Sequence, residues 1–103
     1  MKKVIIGFYL REDADIKPAL SKLRSYALNC TGFISAENIR SEQNPKLVVM
    51  QTNWDTIDDW HECESSRLWQ NILQEARKLI VTEPRVTTYT IVPISGWGSL
   101  RLQ

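Results

Sequence analysis

The stretch that decides the fold is residues 47–60, LVVMQTNWDTIDDW, in which a strand-like run leads directly into a helix-like one. Its first eight residues are rich in apolar and β-branched side chains and end in a tryptophan, which predicts a strand. Thr56 followed three residues later by Asp59 resembles a capping box, so a helix is expected to begin there. Ile57 and Trp60 would then share one face of that helix.

The sequence on either side adds a helix and two strands upstream, and a longer helix and a strand downstream. The expected bounds are a strand at 3–10, a helix at 16–28, strands at 33–42 and 47–54, an amphipathic helix at 68–80 and a strand at 85–92. Asp13 and Asp15 are the candidate N-caps of the first helix, and Leu68 begins the apolar face of the long one. This order predicts an α+β fold of the ferredoxin-like, split βαβ type (βαββαβ), with a four-stranded antiparallel sheet and helices on one face.

One domain is expected over residues 1–93, because 103 residues with 43% apolar side chains suffice for one core and not for two. Residues 94–103 show no clear period and are interpreted as a tail or a short added strand. Cys30 and Cys63 lie 33 positions apart without CxxC spacing, so we expect buried free thiols. The pattern predicts no metal site.

The charge balance argues against polyanionic partners. Lysine and arginine total 13 against 12 aspartates and glutamates, so no basic field is expected to draw the chain to nucleic acid or to a membrane surface. The apolar run after Met-Lys-Lys is shorter than a signal-peptide core, and no stretch approaches the roughly 20 apolar residues that span a bilayer. The sequence therefore predicts a cytoplasmic protein.

The first strand is apolar on both of its faces, although a sheet that is wet on one side should alternate. Val4, Ile6 and Phe8 point one way. Ile5 and Tyr9 point the other way, where the helices cannot cover them. Packing against a second copy would remove this exposed patch, so we expect a homodimer. The alternative is a sheet that simply tolerates some exposed apolar side chains.

Several motifs carry a resemblance to a known family. They are GFISAE at 32–37, VVMQTNW at 48–54, DTIDDW at 55–60, and Glu83-Pro84 leading to Tyr89. With these motifs the chain resembles the antibiotic biosynthesis monooxygenase family over residues 2–93. The resemblance implies a dimeric ferredoxin-like α/β barrel. It also implies several possible activities, because the family includes cofactor-independent oxygenases of anthrone- and quinol-like aromatics, haem-degrading oxygenases, an isomerase-like enzyme and members without assigned activity.

The haem-degrading branch uses an asparagine on strand one, a tryptophan in the short second helix and a histidine in the long helix. Trp60 matches the tryptophan, whereas Gly7 stands at the asparagine position and Gln70 at or next to the histidine. Haem degradation is therefore disfavoured. His61, the single histidine, follows Trp60 directly and points about 100° away around the helix, so it is a poor substitute.

A ligand pocket in this architecture is expected between the helices and the sheet. Trp60 and Trp69 are candidates to line it, although both could instead fill the core. Tyr9 and Tyr89 could offer phenolic hydroxyls to a bound aromatic molecule.

Two polar residues are the candidate catalytic groups. Asn53 could orient a phenol or carbonyl, and His61 could also accept a proton because its unperturbed pKa lies near neutrality. We find no flavin, nicotinamide or phosphate-loop motif, so no cofactor is predicted. The resemblance implies a monooxygenase, an oxidoreductase that acts on a small electron-rich aromatic of quinol or anthrone type. The alternatives are a non-catalytic dimer that binds a small ligand or a protein, and an isomerase of a small carbonyl compound that uses His61.

Overall fold

The structure is a computed structural model that describes residues 1–93. Its helices and strands follow the predicted order, and the second helical region is divided into two helices. The elements are β1 (Lys2–Tyr9), α1 (Lys17–Ala27), β2 (Phe33–Arg40), β3 (Leu47–Trp54), α2 (Ile57–Glu64), α3 (Arg67–Arg77) and β4 (Arg85–Thr90). The tail or added strand predicted at 94–103 lies outside the described residues. Within residues 1–93, no helix combines the length and apolarity that crossing a membrane requires.

The four strands form one antiparallel sheet in the order β2-β3-β1-β4. Alternation along β1 is as predicted, because Val4, Ile6 and Phe8 are buried beneath the helices. Ile5 is only half-buried and Tyr9 is 36% exposed on the opposite side, which we call the open face of the sheet. The α+β ferredoxin-like architecture predicted from the sequence is therefore confirmed.

The start of α2 follows the sequence prediction, whereas the start of α1 does not. Thr56 Oγ1 accepts a hydrogen bond from the Asp59 N–H at 3.1 Å, as a capping residue should. The N-cap of α1 is instead Ile16, which makes no side-chain capping bond. The N-cap prediction for Asp13 is wrong, because the chain first makes a turn in which Asp13 has a φ of 59°. Asp15 lies one residue before the N-cap position, but its Oδ1 accepts a hydrogen bond from the Lys17 N–H at 3.1 Å and so satisfies the first N–H of the helix.

Leu68 is exposed, so its predicted place on the apolar face of the long helix is also wrong. Ser66 caps α3 by accepting from the Trp69 N–H at 3.2 Å, and the buried face runs through Trp69, Leu73 and Ala76. Leu68 precedes Trp69 by one residue and is therefore rotated by about 100° out of this face. Its exposed fraction is 59%.

Two strands end earlier than predicted. β2 ends at Arg40 rather than at residue 42, because the Asn44 N–H donates to Ser41 Oγ and the Leu47 N–H donates to the Asn44 carbonyl. These bonds turn the chain into β3. β4 ends at Thr90 rather than at residue 92.

Candidate functional site

Trp60 and Trp69, the predicted pocket residues, lie in the core with 1% of each residue exposed. The Trp60 ring centroid is 5.6 Å from that of Trp54 and 5.5 Å from that of Trp69. These are the separations of aromatic pairs in direct contact. Neither indole lines the cavities beside Tyr9, at β4, between α1 and β2, or beside the two cysteines.

Thr52 anchors this aromatic cluster, and sequence reasoning missed it. Its hydroxyl is fully buried, accepts a hydrogen bond from Trp54 Nε1 at 2.8 Å and donates one to the Val4 carbonyl at 3.0 Å. A buried indole N–H needs such a partner. The signal in the sequence was a threonine at an inward position of a strand that is otherwise apolar there.

Asn53 and Tyr89, two predicted site residues, lie in one row across the open face. The backbone register pairs Asn53 with Lys3 on one side of β1, and Tyr89 with Lys3 on the other. Asn53 Nδ2 donates to Ser35 Oγ at 3.0 Å. Its Oδ1 is buried and has no hydrogen-bond partner among residues 1–93. The row therefore combines the ammonium group of Lys3, the phenol of Tyr89 and the amide oxygen of Asn53 that is unpaired in the described part of the chain.

His61 does not join Asn53. Its side chain lies on α2, is 58% exposed, and has its Nδ1 3.4 Å from Glu64 Oε1. Helix α2 packs against the helix-covered side of the sheet through Trp60 and Cys63, whereas Asn53 belongs to the open face. The two predicted catalytic residues are thus on opposite sides of the sheet in one chain.

Tyr9 lies far from the Asn53 row. The row crosses β1 at Lys3, six residues from Tyr9, which corresponds to about 20 Å along a strand. Tyr9 borders a cavity of about 570 Å³, together with Val81, Thr82, Glu83 and Arg85.

A second cavity lies at the edge of the sheet, between β4 and the start of α2. It has a volume of about 240 Å³ and is lined by Lys2, Ile57, Thr88, Tyr89 and Thr90. We call it the β4 cleft. Lys2 Nζ donates to Thr90 Oγ1 at 2.9 Å. The lining supplies one ammonium group and two threonine hydroxyls and includes no carboxylate, so the cleft favours an anionic oxygen.

The β4 cleft exists because the helices do not cover β4. All six residues of this strand are exposed, including Val86 at 46%, which shares the helix-facing side with Ile6. Alternation places Thr88 on that side and Tyr89 on the open face, so Tyr89 borders the cleft from the edge of the sheet. Sequence reasoning identified Tyr89 and missed Lys2 and Thr88, which only the strand pairing brings together.

A third cavity, of about 320 Å³, lies between α1 and β2. Leu20 and Val48 are among its apolar lining residues, and Lys17, Arg24 and Arg40 contribute positive charge. All three cations are exposed and so keep their hydration. Among residues 1–93, no three or more His, Cys, Asp or Glu side chains are grouped so that they could hold a metal ion.

Solved structures share this arrangement over most of the chain. A structure named antibiotic biosynthesis monooxygenase is 14% identical, with 90% of this chain and 100% of that chain covered and a TM-score of 0.78. A mutant of SnoaB, a cofactor-independent oxygenase from Streptomyces nogalater, is 12% identical, with 90% and 94% covered and a TM-score of 0.80. This chain has the antibiotic biosynthesis monooxygenase fold.

Rv0793 from Mycobacterium tuberculosis has the same fold, with 18% identity, 92% of this chain and 98% of that chain covered, and a TM-score of 0.78. No family model matches the sequence, and no curated protein sequence matches it significantly. At these identities the likeness establishes the fold, and the resemblance read from the sequence motifs is confirmed at that level.

Proposed function

We propose that this chain is a cofactor-independent monooxygenase of a small electron-rich aromatic, of quinol or anthrone type. The observation that carries the proposal is the likeness to SnoaB, a cofactor-independent oxygenase, over 90% of this chain at a TM-score of 0.80. The β4 cleft supports it, because its volume exceeds the roughly 150 Å³ of a cavity that binds benzene.

In such a reaction the substrate itself provides the electrons. Loss of a proton to water gives a phenolate or enolate, which reacts with O₂. When a ring CH₂ becomes C=O, the carbon loses four electrons and O₂ gains four. One oxygen atom enters the product and the other leaves as water.

The residues of the β4 cleft would stabilise the substrate anion. The Lys2 ammonium and the hydroxyls of Thr88 and Thr90 are donors that can face a developing oxyanion, and Ile57 supplies an apolar wall. Donors held in place for such a charge lower the barrier to its formation. His61 is not among the lining residues, and the proposal assigns no proton transfer to it.

Oxygen uptake with a panel of quinols and anthrones tests the proposal. Thr88→Val removes one hydroxyl of the cleft at nearly constant volume, and we expect it to lower kcat/KM about tenfold or more. Thr87→Val is the matched control, because Thr87 is the neighbouring residue and faces the open face beside Ile5. Lys2→Met should lower the rate in the same way.

Arg24→Met is the matched control for Lys2→Met, since it removes a cation from the cavity between α1 and β2. Oxygen uptake that responds to Arg24→Met and ignores Lys2→Met would contradict the assignment of the β4 cleft. Saturable binding of the aromatics without oxygen uptake would contradict the monooxygenase and favour the non-catalytic alternative.

We also propose that the open face packs against a second copy of the chain. Three apolar or aromatic side chains of this face are exposed, with exposed fractions of 43% for Ile39, 36% for Tyr9 and 50% for Tyr89. Val49, which pairs with Ile39 on one side and with Gly7 on the other, is half-buried on the same face. Covering this face would remove apolar surface from water and could supply a donor for Asn53 Oδ1.

Sedimentation velocity distinguishes a dimer from a monomer. Val49→Asp places a charge on the open face and should give a monomer, whereas Leu68→Asp, at an exposed site on α3, should leave the dimer intact. A wild-type monomer at micromolar concentration would refute this assembly.

A further inference from the structure

The two cysteines meet in the fold although 33 positions separate them. Cys30 Sγ and Cys63 Sγ are 2.7 Å apart, and both are free thiols. Cys30 lies in the connection between α1 and β2, and Cys63 in the last turn of α2. A disulfide bond is about 2.0 Å long, so a small movement of the two side chains would form one.

The backbone around Cys30 is held against α2, so the approach of the sulfurs is built into the fold. The Gly32 carbonyl accepts a hydrogen bond from the Asp55 N–H at 2.8 Å. Gly32 has a φ of 81°, and a Cβ added there would overlap the Asp59 side chain. The chain thus uses a glycine where it must turn and pass close to α2.

Both sulfurs border a fourth cavity that is open to the surface. It has a volume of about 190 Å³, and its lining residues are Tyr26, Asn29, Cys30, Thr31, Asp59, Glu62 and Cys63. Cys30 is half-buried and Cys63 is 3% exposed, so Cys30 is the more accessible thiol. The carboxylates of Asp59 and Glu62 disfavour the approach of anionic reagents, whereas a small neutral oxidant can enter.

We propose that Cys30 and Cys63 are an oxidative modification site, a dithiol that hydrogen peroxide converts reversibly into an intramolecular disulfide. In the first step the Cys30 thiolate attacks one peroxide oxygen, the O–O bond breaks, and a sulfenic acid and hydroxide form. In the second step the Cys63 thiol gives its proton to that hydroxide, its sulfur attacks Cys30 sulfur and the S–O bond breaks; the departing hydroxide becomes water by taking up the proton that Cys30 lost when its thiolate formed. Two thiols and one peroxide give one disulfide and two waters.

The environments of the two sulfurs set this order of events. Burial of Cys63, together with its hydrogen bond to Cys30, raises the pKa of the Cys63 thiol well above its ordinary value. Cys63 therefore stays protonated until the sulfenic acid is adjacent to it. Since the thiolate is the nucleophile, the first attack belongs to Cys30.

Intact mass after peroxide treatment of the reduced full-length chain tests the proposal. The expected result is the loss of two hydrogen atoms, a linked pair of peptides containing Cys30 and Cys63, and full reversal by dithiothreitol. The rate should not depend on protein concentration, because the bond forms within one chain. Oxidised glutathione, which is anionic, should react more slowly than peroxide.

Cys63→Ala should gain oxygen at Cys30 instead of losing hydrogen, whereas Cys30→Ala should react only slowly, because the remaining Cys63 thiol is buried and protonated. Glu62→Gln removes a carboxylate from the cavity and should speed the reaction with anionic oxidised glutathione by about two- to fivefold relative to the reaction with peroxide, whereas the remote Glu42→Gln should change neither. Wild-type oxidation should also raise Tm by on the order of 10 °C, because the crosslink restricts the unfolded chain.

Three results would overturn the proposal. The first is two intact thiols under conditions that fully oxidise a free cysteine. The second is a disulfide that forms only between chains. The third is faster reaction with oxidised glutathione than with peroxide.

Discussion

Replacement of Trp60 distinguishes a core residue from a pocket wall. Trp60 is 1% exposed and its ring lies between those of Trp54 and Trp69, at 5.6 and 5.5 Å. Trp60→Ala should therefore lower the free energy of unfolding by about 3 to 5 kcal/mol, as for other large aromatic residues in cores. Trp60→Phe keeps a ring in contact with both neighbours and should recover most of that loss.

Thermal and urea denaturation measure the effect. For a chain of this size the alanine variant should lose on the order of 15 to 30 °C in Tm. A residue that borders an open cavity would cost only about 1 to 2 kcal/mol on the same reasoning, and ligand binding would suffer more than stability. The packing favours the larger loss.

A double-mutant cycle with Trp69→Phe gives a control on the packing itself. The two rings are in contact, so their substitutions should couple by about 0.5 to 1.5 kcal/mol. A mild loss for Trp60→Ala, with severe loss of aromatic binding and no coupling to Trp69, would refute the core assignment.

Further substitutions test the local supports of the fold by urea denaturation. Thr52→Val leaves the buried Trp54 Nε1 without its acceptor and should cost about 1 to 3 kcal/mol; no loss would contradict that role. Gly32→Ala forces a side chain into a positive φ and against Asp59, and should destabilise by about 1 kcal/mol or more; an unchanged midpoint would contradict the close approach. Ser66→Ala removes the N-cap of α3 and should lower the free energy of unfolding by about 1 kcal/mol; an unchanged stability would contradict the assignment of Ser66 as the N-cap.

The order of elements could be predicted because it rests on local patterns. Alternation in β1 identified Val4, Ile6 and Phe8 as inward residues, and Thr56 marked the start of α2. Element ends were less predictable, because hydrogen bonds in the connections decide them. The Ser66 cap is one example. It sets the start of α3, and in that register Leu68 points toward solvent.

The candidate site could be predicted only in part, because strand pairing is not local. Asn53 and Tyr89 were identified separately, and the register places both beside Lys3. His61 was chosen for its chemistry, but the fold puts it on the other side of the sheet from Asn53.

The contact between Cys30 and Cys63 is a second case. Their separation of 33 positions carries no motif, so the sequence predicted two buried free thiols and gave no sign of their contact. Their proximity arises from the packing of the α1–β2 connection against α2. The single positive-φ glycine among residues 1–93, Gly32, allows that packing.

Product analysis under isotopically labelled dioxygen tests the proposed function most directly. Purified chain is incubated with an anthrone or quinol that supports oxygen uptake, in unlabelled water and without added flavin, nicotinamide or metal. We predict one labelled oxygen atom per product molecule, and a slower reaction with the Thr88→Val variant than with Thr87→Val. Oxygen that comes from water, or a labelled product that forms equally fast without the protein, would contradict it.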